Sequence, residues 1–190
     1  MLKKLERLAQ ASILVVDDDA GARRQISSAL KKAGFQKVNI AVDGNDALVQ
    51  TVRFDPDLVI LDLQMPSLDG FGYCKKIRNF DSLPRMPIIV QTISEAREDK
   101  LRALSVGADD FLNKPLDMEE LNLRACVHLE RYFMLQDMKN MCGHLRMEID
   151  VMQKIMQQVE KSKISSQVVT SLNRHCEALE KMSAMPTYGT

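Results

Sequence analysis

The feature that most constrains this chain is a short apolar run that ends on a lone carboxylate, Leu58-Val59-Ile60-Leu61-Asp62, inside the stretch from Pro56 to Gly70. The run is too short for a buried helix and carries β-branched residues, so it reads as a fully buried strand. A strand that is apolar on both faces belongs in a parallel sheet covered on both sides. In such sheets ligands bind beyond the carboxyl ends of the strands. Asp62 stands at that end. It is followed by a loop containing Met65-Pro66 and a turn at Leu68-Asp69-Gly70.

The flanking sequence repeats the theme. Leu2, Leu5, Leu8 and Ala9 fall on one side of a short amphipathic lead-in helix, with Lys3, Lys4, Glu6 and Arg7 opposite. Ser12 to Val16 reads as a first strand ending on Asp17-Asp18-Asp19. A helix with Ile26, Ala29 and Leu30 inward follows and stops at Gly34. Val38 to Val42 reads as a second strand and Asn45 to Arg53 as a helix, broken by Asp55-Pro56 before the central strand. A third helix runs from about Gly70 to Asn79. Pro84 and Pro87 bracket a loop, and Ile88-Ile89-Val90 leads a strand to Thr92. Glu95 to Val106 reads as a helix closed by Gly107, and Asp110 to Asn113 as a last strand before Lys114-Pro115. Asp117 with Glu120 forms a capping box for a further helix. This alternation predicts an α/β fold: a five-stranded, doubly wound parallel sheet of flavodoxin-like type, with an all-α C-terminal extension. The expected division is a lead-in helix over 1–11, an α/β domain over 12–128 and the extension over 129–190.

The strand ends then define a constellation. They supply Asp17 and Asp18, Asp62, Thr92 and Lys114. Clustered carboxylates are hard to keep ionised without a cation among them. Oxygen-only ligands suit Mg²⁺, which shares phosphate oxygens with its protein ligands. Phosphoryl transfer needs an in-line nucleophile, a metal and further positive or donor groups. Asp62 can be the nucleophile, Asp18 and Asp17 metal ligands, Thr92 a donor to a phosphoryl oxygen and Lys114 a point charge on the same group. Taken singly, an acidic triplet at a strand end also serves as a helix N-cap, and Lys-Pro as ordinary punctuation.

The stretches ILVVDDD, PDLVILDLQMPSLDG, PIIVQT and GADDFLNKP, in that order over roughly residues 12 to 128, resemble the receiver domain of two-component response regulators of the chemotaxis-regulator type. The resemblance implies that Asp62 is the phosphorylated aspartate. It implies Mg²⁺ held by Asp17, Asp18, Asp62 and the backbone carbonyl of Gln64. It also implies Thr92 as the switch hydroxyl, Phe111 as the switch aromatic and Lys114 as the lysine of the site. A sensor histidine kinase or phosphotransfer protein would be the phosphodonor. Helix four, strand five and helix five would be the output face. Such a domain accelerates only its own phosphorylation and dephosphorylation and is not otherwise an enzyme. The chain departs from the family at Ile93, where a small residue is usual; a bulky side chain there is expected to narrow access to Asp62 and slow both rates.

The last helix of the domain has no Gly or Pro until Gly143. Leu135, Met138, Cys142, Leu145, Ile149, Met152, Met156 and Val159 recur at alternating steps of three and four, a heptad seam. A single helix cannot bury such a stripe, so it pairs with another chain, as a homodimer, or folds back on itself. The seam fails around Lys161 to Ser166. A second stretch from about Gln167 to Met182 then carries Val168, Leu172, Cys176 (or His175) and Leu179 inward, as a hairpin or as one helix with a stutter. Gly143 reads as a hinge or a point of close helix approach. The tail from Pro186 to Thr190 is expected to fray. Nine of the twelve methionines lie from Met118 onward, as adaptable packing. His144 and His175, the candidates for phosphotransfer histidines, read as structural or solvated.

Composition excludes several classes. Formal net charge is zero, and from Asn140 onward six basic residues face five acidic ones, against a nucleic-acid output. The four cysteines, Cys74, Cys126, Cys142 and Cys176, show no Cys-x-x-Cys spacing and read as small hydrophobes of a reducing compartment, the cytoplasm. No apolar run reaches the ~20 residues of a membrane span. The alternative function is the front piece of a longer regulator whose output is a cyclic-nucleotide cyclase, phosphodiesterase or phosphatase.

Overall fold

The computed structural model describes residues 2–80, 85–93, 97–161 and 166–183. Expectations that rest on Pro84, on the start of a helix at Glu95, on the break from 162 to 165 and on the tail fall outside those residues, as does the side chain of Val168. Within them a five-stranded parallel sheet forms from β1 (Ser12–Val16), β2 (Lys37–Ala41), β3 (Leu58–Asp62), β4 (Ile88–Thr92) and β5 (Asp110–Asn113), in the order β2-β1-β3-β4-β5. The helices are α1 (Leu2–Ala9), α2 (Ala20–Lys32), α3 (Gly44–Phe54), α4 (Gly70–Arg78), α5 (Arg97–Ser105), α6 (Met118–Lys161) and α7 (Ser166–Ser183). Right-handed crossovers place α2 on one face of the sheet and α3, α4 and α5 on the other. Strand order reverses between β1 and β3, and the ends of those strands carry Asp17 and Asp62.

The central strands explain this order. Every residue of β3 and β4 is buried, as are Ile13 to Val16 of β1. Each Leu or Ile so placed contributes roughly 1.5–3 kcal/mol over exposure. Edge strand β2 is only half covered, and it begins and ends one residue earlier than its apolar pattern suggests.

Short carboxylates start the helices. Asp19, Asp43 and Asp69 cap α2, α3 and α4 by accepting from the amides of Gly21, of Asn45 and Asp46, and of Gly72. The capping box at α6 is half formed. Asp117 Oδ1 accepts from the amides of Glu119 and Glu120, but the Glu120 carboxylate takes two N–H groups of Arg124 instead of reaching back. The charge-assisted fork outcompetes a lone amide.

A half-buried clamp ties α4 to the sheet. Arg78 donates to the carbonyls of Gly107 and Met86 and pairs with Asp109 at 2.6 Å, while Asp109 also accepts from the amide of Ile88. In the core of α3 and α4, Thr51 Oγ1 and Tyr73 OH lie 2.7 Å apart, satisfying both hydroxyls. Cys74 is buried and its thiol is pushed up to about 12 by that burial, which makes it inert.

The chain divides into two compact units, 1–132 and 133–190. In the first, Leu121, Ala125 and Leu129 are fully buried. In the second, helix α6 passes unbroken through Gly143, where an added Cβ would meet nothing within 4 Å among the described residues. Helix α7 folds back against the end of α6. Cys176 Sγ lies 3.8 Å from Met156 Sδ, and Gln153 Nε2 donates to Glu180 Oε1. These contacts run antiparallel, so the second helical stretch makes a hairpin rather than a continuation with a stutter.

Candidate functional site

The site forms where three strand ends meet two loops. β1 delivers Asp17, fully buried, and then Asp18, exposed; β3 delivers Asp62, buried. One carboxylate oxygen from each lies within 4.8 Å of the others. Lys114, just beyond β5, reaches into this cluster: its Nζ lies 2.8 Å from Asp62 Oδ2 and 3.0 Å from Asp17 Oδ2. Thr92 is buried at the end of β4, and its carbonyl accepts from the Lys114 amide at 2.8 Å. The Lys114–Pro115 peptide is cis. The structure thus brings the side chains of Asp17, Asp18, Asp62 and Lys114 together, with the Thr92 backbone held against Lys114.

Two glycines set the backbone of the rim. A Cβ on Gly70 would stand 2.4 Å from the Asp62 carbonyl oxygen, so α4 starts against the end of β3 only because that side chain is missing. Gly44 plays the same part for α3, where a Cβ would stand 2.4 Å from the Leu68 carbonyl oxygen, and the Gly44 amide donates to that oxygen. The loop carrying Gln64 to Asp69 is held between the two.

Burial is the largest influence on Asp62 and pushes its carboxyl up; the hydrogen bond from Lys114 opposes this without cancelling it. Burial likewise disfavours the Lys114 ammonium, but its bonds to Asp62 and Asp17 prevail and hold the ammonium above its ordinary range. Gln64 offers its amide to Asp62 Oδ1 at 3.3 Å. Asp19 points away from the cluster and caps α2.

Two groups at this site were not anticipated from sequence. Gln91 is fully buried in β4 and donates from Nε2 to Asp17 Oδ2 at 3.1 Å. A lone amide in an otherwise apolar buried strand was the available signal. Arg23, on α2, donates from Nη1 to the carbonyls of Asp17 at 2.7 Å and Asp18 at 3.0 Å, bracing the acidic loop from behind. Nothing in its sequence position announced that.

Away from the rim, Phe111 is half-buried on β5 and carries Lys100 Nζ 5.0 Å from its ring centroid. Ile93 is mostly exposed beside Thr92. Beside Phe111 on β5, Asp110 accepts with both oxygens from Arg124 Nη1 and lies 3.0 Å from His128 Nε2 through one of them. Burial pushes the Asp110 carboxyl up, but these bonds together hold it below its ordinary range. In the seam, Ile149 is buried and Leu135, Cys142, Leu145, Met152, Met156 and Val159 are half-buried, while Met138 is exposed. The structure gives Met156 an intrachain neighbour on α7.

A family model for the response regulator receiver domain matches residues 13–125. The chain belongs to the response regulator receiver family. Among curated relatives, RpaA of Synechocystis sp., a DNA-binding dual master transcriptional regulator, is 37% identical over 119 residues, covering 63% of this chain and 49% of that protein. The response regulator PleD of Caulobacter vibrioides is 38% identical over 107 residues, covering 56% of this chain and 23% of that protein. This receiver chain therefore spans about half or less of the length of these relatives. Among solved structures, the receiver domain of Francisella response regulator 1452 superposes with a TM-score of 0.60 at 30% identity, over 64% of this chain and 98% of that one. A structure described as a two-component system response regulator/GGDEF domain protein superposes with a TM-score of 0.63 at 32% identity, over 69% of this chain and 54% of that one.

The receiver family binds Mg²⁺ at an acidic cluster, and the donor set here fits such an ion. It consists of oxygen only, with three carboxylates and one compensating lysine. No helix among the described residues is long and apolar enough to cross a membrane.

Proposed function

We propose that the chain is a phosphoacceptor of a two-component phosphorelay, with Asp62 accepting the phosphoryl group. One observation carries the reading: a buried carboxylate at a strand end lies within 4.8 Å of two more and is bonded to a lysine ammonium 2.8 Å away. An oxygen of Asp62 attacks the phosphorus of a phosphohistidine on a sensor kinase or phosphotransfer protein. The O–P bond forms as the N–P bond breaks, the imidazole leaves with the electron pair and takes up a proton, and an aspartyl phosphate remains.

Asp17, Asp18, Asp62 and the Gln64 carbonyl would hold Mg²⁺, which when bound supplies positive charge to the transferring oxygens. Lys114 supplies the other charge, from a position already bonded to the acceptor. Gln91 and Arg23 keep Asp17 and its loop in place. Thr92 donates to a phosphoryl oxygen once one is present. Its movement draws Phe111 inward, off Lys100, and changes the surface of α5, β5 and α6. Phosphorylation acts by population shift, so this relay works through the difference between two surface arrangements.

The receiver proper ends near residue 128, and the extension over 129–190 carries the output to a second copy or a partner through the seam. The reducing cytoplasm is the setting that free cysteines favour. Incorporation of phosphate from acetyl phosphate tests the reading: it should require Mg²⁺ and stop with a chelator. Equal labelling with and without chelator would overturn the metal assignment. Solution mass with beryllofluoride and Mg²⁺ tests the output, which predicts a dimer; a monomer in both states would leave a seam that serves only the hairpin.

A second reading has its own support. The chain covers about half or less of its relatives' lengths, and a GGDEF-domain response regulator is among the structures it resembles, over 54% of that chain. In that reading these residues are the front of a longer regulator with an enzymatic output. Coding sequence continuing past Thr190 into a catalytic domain would establish it.

A further inference from the structure

At the opposite side of strand β1 from Asp62, the sheet ends on β2, and among the described residues no strand pairs with the outer edge of β2. That edge offers the backbone N–H and C=O groups not used in the ladder to β1. It is flanked by α2 and α3, and the three elements enclose an open groove of about 920 Å³, within the ~300–1,000 Å³ range of specific ligand sites. The groove is strongly one-signed. Arg23, Arg24, Lys31, Lys32 and Arg53 line it, and no acidic residue does. Among the described residues, none of Arg24, Lys31, Lys32 and Arg53 has a carboxylate within ion-pairing distance, although the whole chain is neutral.

The floor is apolar. Ile40 on β2 and Phe54 at the end of α3 are both exposed there. Two polar atoms of the lining, Ser27 Oγ and Gln50 Oε1, are buried without a hydrogen-bond partner among the described residues.

We propose that this groove takes an acidic, extended segment of a partner protein, which pairs as a sixth strand along β2 while its carboxylates meet Arg24, Lys31, Lys32 and Arg53. A free strand edge selects a polypeptide backbone, alternate side chains of the added strand reach Ile40 and Phe54, and the surrounding cations select acidic residues at the positions between. The surface is independent of the phosphoacceptor rim except through Arg23, which lines the groove and also holds the carbonyls of Asp17 and Asp18.

The test uses the full chain and a fluorescent peptide of alternating Glu and Val, about eight residues long, a usual strand length. The expected result is saturable binding that weakens with salt and at least tenfold in the triple variant Arg24→Glu, Lys31→Glu, Arg53→Glu. The milder pair Lys31→Ala, Lys32→Ala should fall between, and circular dichroism should show both variants folded. The same peptide N-methylated on alternate amides keeps its charge but should bind several-fold more weakly. Equal binding of the N-methylated peptide would overturn the strand pairing. Equal or tighter binding of a single-stranded oligonucleotide of the same charge would overturn the polypeptide assignment. Binding of neither would show that the basic residues only guard the edge.

Discussion

The carboxylate that makes Asp62 useful should also cost the fold stability, and Asp62→Asn measures by how much. Asp62 stands within 4.8 Å of oxygens of Asp17 and Asp18. At an effective dielectric of about 20, each repulsion amounts to about 3.5 kcal/mol or more. The attraction to Lys114 across 2.8 Å comes to about 6 kcal/mol on the same scale. Water screens the share of the exposed Asp18, so the crowding does no more than offset the pair with Lys114, and the burial of the charged group, the largest influence on Asp62, decides the sign. Lys114 keeps Asp17 as a partner after the change, at 3.0 Å. Asp62→Asn should thus stabilise the metal-free protein by about 1–2 kcal/mol, raising the melting temperature by ~2–4 °C per kcal/mol. Because the folded Asp62 carboxyl titrates above 3.8, the folded state holds its proton longer than the unfolded chain does. Wild-type stability therefore falls as pH rises through the window above 3.8, and the variant lacks that fall. The gap between them should be small in acid and full at neutral pH. Urea unfolding followed by circular dichroism, with chelator present, reads both. Mg²⁺ should then stabilise the wild type more than the variant and narrow the gap. A variant less stable than wild type without metal would mean instead that the pair with Lys114 outweighs the burial of the charge.

Three further substitutions probe the surroundings. Ile93→Ala should raise the rates of phosphorylation and self-dephosphorylation together by a few-fold, read by stopped-flow fluorescence or phosphate release; unchanged rates would remove any gating role for that exposed side chain. Arg78→Ala should cost about 2–4 kcal/mol in urea unfolding, less than a fully buried pair because Asp109 keeps 29% of its side-chain surface. Gly70→Ala places a methyl group 2.4 Å from the Asp62 carbonyl oxygen, so it should lose about 1–3 kcal/mol of stability and also weaken Mg²⁺ binding measured by calorimetry.

Much of this architecture was legible because β1, β3 and β4 are buried on both faces, and an apolar run bounded by a carboxylate or hydroxyl admits few other readings. The boundaries blurred where burial is partial. β2 sits at the sheet edge, and its half-covered pattern gave no firm start or end. The rim residues Asp17, Asp62, Thr92 and Lys114 were found together because parallel topology puts all strand ends on one side. Gln91 and Arg23 were missed because their roles depend on contacts across 74 residues and on a side chain curling back to carbonyls. Helix α6 announced its length through the absence of breakers, but the heptad pattern could not say that its end meets Cys176 of the same chain. The basic groove arises only when α2, β2 and α3 come together, since its cations are scattered from Arg23 to Arg53.

The phosphoryl group should reside on Asp62. The direct measurement is treatment with acetyl phosphate and Mg²⁺, reduction of the acyl phosphate with borohydride, and peptide mass mapping. Homoserine is expected at position 62 and at no other carboxylate, with no reduction product in Asp62→Asn. Reduction at Asp17 or Asp18, or a product that persists in Asp62→Asn, would contradict it.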